Sequence, residues 1–321
     1  MPAATPTTLA DLADAWKVHH RSWTGDACIL TVSLAEGPQT VTFGAKELPL
    51  DGIGLQALLS FYGIPLAFFD RLTGEERHYL LNSRIDHTPG EITLTYTSHH
   101  LIDALKPSQP RLDPFQFAMA ATTALPSDSK ILESWNTPTD LRIDVIAPDG
   151  DPDGTQRGIR IGQNRKQNLA PWATPILYHA PSGAVVHITD PSLKIDARGA
   201  DSDTLFNLLS SDVLRAWART PHDLEALADL NHESVAQQRI TLLHRIGAEH
   251  KIPGRYLPRM DAHLANLVDP TLQDVALTIA ATAAAPDIPQ AGLRLRLQAA
   301  AGRIVTDHAQ RCSSCHALIA A

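Results

Sequence analysis

Residues 58–85, LLSFYGIPLAFFDRLTGEERHYLLNSRI, constrain the fold of this chain more than any other segment. Two short apolar segments are separated by a break at Gly63 and Pro65, which predicts two short helices. Thr73 followed by Glu76 is the pattern of a capping box and predicts the start of a third helix. Because the breaks fall between apolar faces, we expect a helical hairpin that packs onto a core.

Strand patterns and two further helices fill the first two thirds of the chain. Thr8 and Asp113 are predicted N-caps, and Pro114 follows the second cap in the first turn of its helix. Short runs of alternating apolar and polar residues predict strands, the first two of which should form a hairpin. These runs are residues 29–34, 40–43, 91–97, 141–147, 158–162, 175–179 and 184–189.

Helical spacing replaces alternation after Asp203 and continues to near the end of the sequence. A helix begins just after Asp203, and Thr220 followed by Pro221 predicts the start of a separate second helix. The remaining predicted helices cover residues 235–250, 271–285 and 290–310.

The predicted fold class is therefore α+β. We expect residues 1–200 to form a mixed β core with helical insertions. Residues 201–321 should form an all-helical C-terminal region that packs on this core and ends in a short Cys/His tail.

The composition is that of a globular protein. Hydrophobic residues make up 44% and charged residues 19% of the 321 residues, enough for one large core or two ordinary domains. No apolar run approaches the roughly 20 residues that span a bilayer, and no basic start followed by an apolar block marks the N-terminus. Cys28, Cys312 and Cys315 are too few for a disulfide framework. We therefore expect a cytoplasmic protein without membrane contact.

The net charge of −8 arises entirely in the first half of the chain. Residues 1–150 contain 10 Lys/Arg and 18 Asp/Glu, whereas residues 151–321 contain 17 of each. The chain therefore lacks the overall positive charge that attracts polyanions, and any contact with nucleic acid requires a local basic cluster.

One such cluster lies in residues 156–172, where basic and amide side chains alternate before a tryptophan. Cationic groups neutralise phosphates, amides bond sugars or bases, and an indole stacks on an unpaired base. The same composition is also typical of a solvated loop. The residues predicted to contact single-stranded nucleic acid are Arg157, Arg160, Asn164, Arg165, Lys166 and Trp172.

The C-terminal sequence CSSCH at residues 312–316 contains the clearest metal-ligand pattern. Its spacing is that of covalent haem attachment, but that chemistry normally requires export. His308, Cys312, Cys315 and His316 are instead the candidate ligands of a zinc ion. Because Cys315 and His316 are adjacent, a further ligand from Cys28 or a second chain would be required. Reduced thiols in a frayed tail are the alternative.

Other catalytic and metal motifs are weak or absent in the sequence. The segment DGDPDG at 149–154 begins like a calcium loop, but Arg160 occupies the position of the required Glu, so we expect a turn between strands. Asp144, His179 and His187 lie in or near predicted strands, with no spacing that supports a metal site. No P-loop, dinucleotide fingerprint, zinc-protease motif or nucleophile elbow occurs, and no catalytic residue is predicted.

Several of these stretches together resemble the phage/plasmid-like family known as domain of unknown function 932. In the family's pattern an Arg and a Cys-Asn-Gly turn follow one strand, whereas this chain has His179 and residues 180–183, APSG. The resemblance extends from about residue 50 to residue 305 and consists of packing and turn motifs. The similar stretches are residues 58–85, 158–168, 175–186, 271–285 and 297–305.

The resemblance implies a protein encoded on phages or mobile elements near replication and recombination genes. The first hypothesis is a non-catalytic accessory protein of DNA metabolism that binds single-stranded DNA, as an annealing or recombination factor in a homo-oligomer. The second is a protein-interaction module, such as a host-defence antagonist that presents its acidic N-terminal half to a partner. The third is a metal-dependent enzyme that acts on nucleic acid.

Overall fold

The structure is a computed structural model of the chain. It describes the following residues: 8–19, 21–34, 39–107, 111–136, 140–150, 153–164, 170–189, 197, 199–288 and 291–319. The side chains of residues 18, 19 and 311–319 lie outside this description.

Helices and strands alternate in the N-terminal part of the described chain, and helices alone follow. The strands are β1 (Arg21–Asp26), β2 (Thr31–Ser33), β3 (Thr40–Phe43), β4 (Lys46–Pro49), β5 (Glu91–Tyr96), β6 (Leu101–Leu105), β7 (Lys130–Asn136), β8 (Asp140–Gly150), β9 (Thr155–Asn164), β10 (Trp172–His179) and β11 (Ala184–His187). The helices are α1 (Leu9–His19), α2 (Gly52–Phe61), α3 (Leu66–Phe69), α4 (Gly74–Asp86), α5 (Pro114–Ala124), α6 (Ser202–Asp229), α7 (Arg239–Glu249), α8 (Leu257–Ala265), α9 (Leu272–Ala284) and α10 (Ala291–Ile319). The predicted α+β class and the helical C-terminal region are confirmed.

Two small sheets and three helices enclose the first core. One sheet has the order β2-β3-β4, the other the order β1-β5-β6. The three predicted helices and the capping box of Thr73 and Glu76 are confirmed. The expected helical hairpin is wrong, however, because α2 packs on β6 whereas α4 packs on β2. Each helix covers a sheet because its apolar stripe fits a flat apolar surface there, with Leu58 and Leu81 fully buried.

A five-stranded antiparallel sheet in the order β11-β10-β9-β8-β7 forms the centre of the molecule. Side chains alternate between its two faces along each strand. Leu141, Ile143, Ile159 and Ile161 point to one face and form a second core with α1, α5 and the first half of α6. Polar side chains occupy much of the opposite face.

The C-terminal helices share a third core with the sheet edge. Val186 and Ile188 of β11 belong to the same apolar cluster as Val275 and Ile279 of α9. Helix α10 lies directly against β11. The two backbones are so close that a Cβ added at Gly302 would overlap the carbonyl group of His187. The helices α9 and α10 therefore pack directly on this edge of the sheet. No helix of the described chain is both long and apolar enough to cross a membrane.

Helix α6 runs unbroken through Pro221, so the predicted helix start at this position is wrong. Proline has no N–H to donate to the carbonyl oxygen of Trp217, four residues earlier. The hydroxyl of Thr220 donates to that oxygen instead, at 2.8 Å, and its side chain is fully buried. A local side-chain hydrogen bond thus replaces the missing backbone bond and keeps the helix continuous.

We expect Thr220→Val, which keeps the shape and removes the hydroxyl, to lower the free energy of unfolding by about 1–3 kcal/mol, because the Trp217 carbonyl then has no donor. In a Pro221→Ala background the same change should cost less than about 0.5 kcal/mol, because the Ala N–H takes over the bond. Urea unfolding of the four proteins measures both values. Equal costs in the two backgrounds would contradict this account.

Candidate nucleic-acid interface

The polar face of the five-stranded sheet is built from cross-strand rows. Trp135 of β7 lies opposite Arg142 of β8, which lies opposite Gly162 of β9, which in turn lies opposite Trp172 of β10. Antiparallel pairing places such partners on the same face of the sheet. We call these four residues the aromatic row.

Stacking and a missing side chain shape the aromatic row. The guanidinium carbon of Arg142 lies 3.2 Å from the ring centroid of Trp135, which is a cation–π contact. The indole of Trp172 lies over Gly162, where an added Cβ would overlap the ring. Both indoles are partly exposed. The row therefore presents two aromatic surfaces and one guanidinium along a single line across four strands.

A second row next to it is a buried ionic network. Arg160 binds Asp144 through two hydrogen bonds, Nε to Oδ1 at 2.8 Å and Nη2 to Oδ2 at 2.5 Å. Its Nη1 donates to Oε1 of Gln298 on α10, at 2.9 Å. Both charged side chains are only 1% exposed. The two central strands and the last helix are thus joined through one guanidinium.

Arg142 differs from Arg160 in having no strong partner. Its side chain is 17% exposed, and its Nε lies 4.0 Å from Asp144 Oδ1. That Nε is buried and makes no hydrogen bond to the described residues. Burial, and secondly the charge of Arg160, lower the pKa of Arg142 to about 10. Arg142 is therefore a charged donor group whose hydrogen-bonding capacity is unused within the described protein.

Two further titratable groups lie at the margins of this face. The pKa of Glu133 is raised above its usual value, because the effect of burial outweighs the opposite effect of the Arg142 charge. Burial lowers the pKa of His187 well below its usual range, and Arg160 and Arg142 lower it further. The His187 Nε2 atom lies 2.8 Å from the Thr174 hydroxyl. The imidazole is consequently neutral near pH 7, and the net charge of the face is set by its arginines and carboxylates.

The structure separates the predicted nucleic-acid residues. Two of them lie on the polar face. Asn164 is at the end of this face, and Trp172 belongs to the aromatic row. Arg160 shares that face, but it is an interior ion-pair residue and has no surface for a phosphate, because Asp144 occupies its guanidinium. Arg157 points to the opposite face, where its guanidinium carbon lies 4.9 Å from the ring centroid of Trp217. Arg165 and Lys166 lie outside the described residues.

Sequence reasoning missed Trp135 and Arg142, the two residues in closest stacking contact. Strand β7 reads KILESWN, which does not alternate, and its register with β8 shifts between Ile131 and Glu133. The pairing of Trp135 with Arg142 is therefore a consequence of strand register, for which the local sequence carries no signal.

The predicted metal ligands lie only partly within the described chain. His308 Nδ1 lies 2.8 Å from Glu233 Oε1, whereas the side chains of Cys312, Cys315 and His316 lie outside the description. Among the described residues no group of three His, Cys, Asp or Glu side chains is arranged to hold a metal ion. Zinc binding by the tail stays a prediction.

The remaining metal alternatives have other partners. Asp153 accepts hydrogen bonds from the backbone N–H and the hydroxyl of Thr155, in the turn expected between β8 and β9. His179 lies within hydrogen-bonding distance of Ser182. It is two strands away from Asp144 and points to the opposite face of the sheet. Asp144, His179 and His187 therefore do not converge.

Comparison of the chain with models of known protein families, with curated proteins and with solved structures finds no match. The resemblance to the phage/plasmid-like family stays a prediction. The geometry of the aromatic row and its surroundings is therefore the basis for the functional argument.

We expect Asp144→Asn to destabilise the fold by about 3–5 kcal/mol, because it leaves the Arg160 guanidinium buried without a counter-charge. Replacing both residues, Asp144→Leu with Arg160→Met, should cost much less, since no charge remains in the interior. Urea denaturation followed by circular dichroism measures both effects. An unchanged unfolding midpoint for Asp144→Asn would show that the ion pair does not support the sheet.

Proposed function

We propose that the protein binds single-stranded nucleic acid on the polar sheet face, as a non-catalytic accessory protein of DNA metabolism. The observation that carries the proposal is the aromatic row, in which Trp135, Arg142 and Trp172 lie across four strands on one face. The cytoplasmic location and the homo-oligomeric state expected from the sequence form part of the same proposal.

Single strands suit this surface better than a duplex. Unpaired bases stack on aromatic side chains with a stabilisation of about 1–3 kcal/mol per base, whatever their sequence. Bases in a duplex are already stacked on one another and cannot reach an indole on a flat sheet. Sheet faces with exposed aromatics are a recurring platform for single-stranded nucleic acid.

Arg142 supplies the matching electrostatic contact. Its guanidinium is held against Trp135, so its orientation is fixed before a ligand arrives. An oriented guanidinium forms paired hydrogen bonds with a phosphate at little cost in side-chain entropy. Residues 165–169, which include Arg165 and Lys166, connect Asn164 to the strand that starts with Trp172. This segment contributes two further positive charges to the chain.

A protein-interaction module is the second candidate function. The acidic first half of the chain exposes two large aromatic side chains, Phe68 at 51% and Tyr79 at 76%. Exposed aromatic residues are enriched at protein–protein interfaces, and a net acidic chain segment attracts a basic partner. A pull-down from a host extract at low salt that returns no partner would remove this candidate.

We expect Arg142→Met to weaken binding of a fluorescent oligothymidylate about tenfold at low salt, because a phosphate contact is lost while the packing on Trp135 is kept. The slope of log K against log salt should shrink by about 0.7, the value for one phosphate of a single strand. Fluorescence anisotropy at several salt concentrations measures both quantities, with a duplex of equal length as the comparison.

Arg215→Met is the matched control, because this arginine lies on α6 with its side chain 60% exposed. It should leave both affinity and slope unchanged. Trp172→Leu should weaken binding without changing the salt slope, since stacking releases no counterion. Equal binding by the wild type, Arg142→Met and Trp172→Leu would exclude this face as the binding surface.

The raised pKa of Glu133 predicts a pH dependence of binding. As the pH falls from 7 toward the pKa of Glu133, a carboxylate near Arg142 becomes neutral, and affinity for phosphates should increase. Glu133→Gln should bind about two- to fivefold more tightly than the wild type at pH 7. Glu133→Gln should also lose most of the gain in affinity that the wild type shows as the pH is lowered from 7. The same anisotropy titration tests this, and an identical pH profile in both proteins would refute it.

A further inference from the structure

A cleft of about 450 Å³ lies away from the polar sheet face, between the sheet β1-β5-β6 and the first turns of α5 and α6. Its volume is within the range of small-molecule sites. Its walls contain hydroxyl, carboxylate, amide and cationic side chains, together with a few aliphatic ones. Its hydrogen-bonding groups indicate what it can bind.

Hydroxyl groups line the sheet side of the cleft. Ser22 lies opposite Thr95 in the strand register, and Thr93 is two residues away on the same face. Thr93 shares a hydrogen bond with Thr24 at 3.0 Å. Thr95, which is only 8% exposed, also lines the cleft. A hydroxyl on the wall of a cleft can donate a hydrogen bond to a ligand atom or accept one from it.

An ion pair forms the floor of the cleft. Arg111 Nη1 donates to Asp103 Oδ2 at 2.8 Å, and Asp103 Oδ1 accepts from the Ala104 N–H. The pKa of Arg111 is lowered, because the effect of burial outweighs the opposite effect of the Asp103 carboxylate. Among the described residues this is the single hydrogen bond of the Arg111 guanidinium, and its other donors have no partner within that part of the protein.

The two helix N-termini are not available for an anion. Asp113 caps α5 by accepting from the Gln116 N–H, and Asp201 caps α6 by accepting from the Thr204 N–H, both at 2.8 Å. Pro114, the first residue of α5, has no N–H to offer. Each positive helix end therefore already has its own carboxylate, which repels a phosphate or sulfate.

The remaining charges nearly balance. The cleft is lined by the carboxylates of Asp103, Asp113 and Asp201 and by the cations of Lys106 and Arg111. The two partial positive charges of the helix ends offset the excess carboxylate. A ligand with a net charge gains little here, whereas a ligand with many neutral donors and acceptors satisfies the free groups.

We propose that this cleft binds a neutral polyhydroxylated small molecule of the monosaccharide class. Ligand hydroxyls donate to the second carboxylate oxygens of Asp113 and Asp201 and accept from Arg111 and Gln116. The Thr95 hydroxyl completes the site from the sheet side. No aromatic ring lines the cleft among the described residues, which disfavours a nucleobase. This site is separate from the nucleic-acid surface and does not depend on that proposal.

Saturation-transfer difference NMR on the full chain tests the proposal with D-glucose, D-ribose and D-mannose as probes at millimolar concentration. We expect saturation transfer to at least one of them and a fittable dissociation constant. Thr95→Val should weaken binding about three- to tenfold, because one hydrogen bond is lost without a change of shape. Thr123→Val, on the far end of α5, is the matched control and should leave binding unchanged.

Asp113→Asn is the second variant, because the amide oxygen retains the helix cap while one acceptor becomes a donor. It should weaken sugar binding with an unchanged thermal midpoint, which separates a lost contact from a lost fold. Saturation transfer to none of the sugars from the folded protein would overturn the proposal. Binding of glycine or inorganic phosphate in place of sugars, or sugar binding that both variants leave intact, would overturn it too.

Discussion

The bidentate contact between Arg160 and Asp144 is the interaction on which the rest of the structure depends. It joins β8 to β9 at the centre of the sheet, and through Gln298 it ties α10 to the same point. Ionised side chains in the interior are tolerated only when all of their hydrogen-bonding groups are matched. The pair therefore fixes the register of the central strands, because a shift by one residue would bury both charges without partners.

That register determines the properties of the polar face. With Arg160 opposite Asp144, Arg142 must lie opposite Gly162, and the indole of Trp172 can then cover the glycine. The two arginines are two positions apart across adjacent strands, yet they serve different purposes. Arg160 is neutralised and structural, whereas Arg142 stacks on Trp135 and keeps its donors free. Burial and pairing, and not residue type, decide which cation is available to a ligand.

Local signals in the sequence predicted much of the fold. The capping boxes at Thr73 and Asp113 fix helix starts because the cap and its partner are three residues apart. Signals that depend on distant residues were missed. Strand β1 has no buried residue to produce alternation, and β7 is irregular. Pro221 was misleading because Thr220 supplies the missing donor. The aromatic row follows from strand pairing alone, so only Trp172 and its neighbour Asn164 were found in advance.

The two proposed sites differ in a way that follows from their backbones. The aromatic row is partly exposed and combines flat aromatic groups with a guanidinium that has no strong partner, a combination that suits a long, charged and flexible ligand. The cleft is concave, its charges are paired, and its helix ends carry their own carboxylates. The net charge of −8 arises in residues 1–150, and this part of the chain repels polyanions. On the polar sheet face Arg160 neutralises Asp144 and the donors of Arg142 stay unused, and this is where we propose that nucleic acid binds.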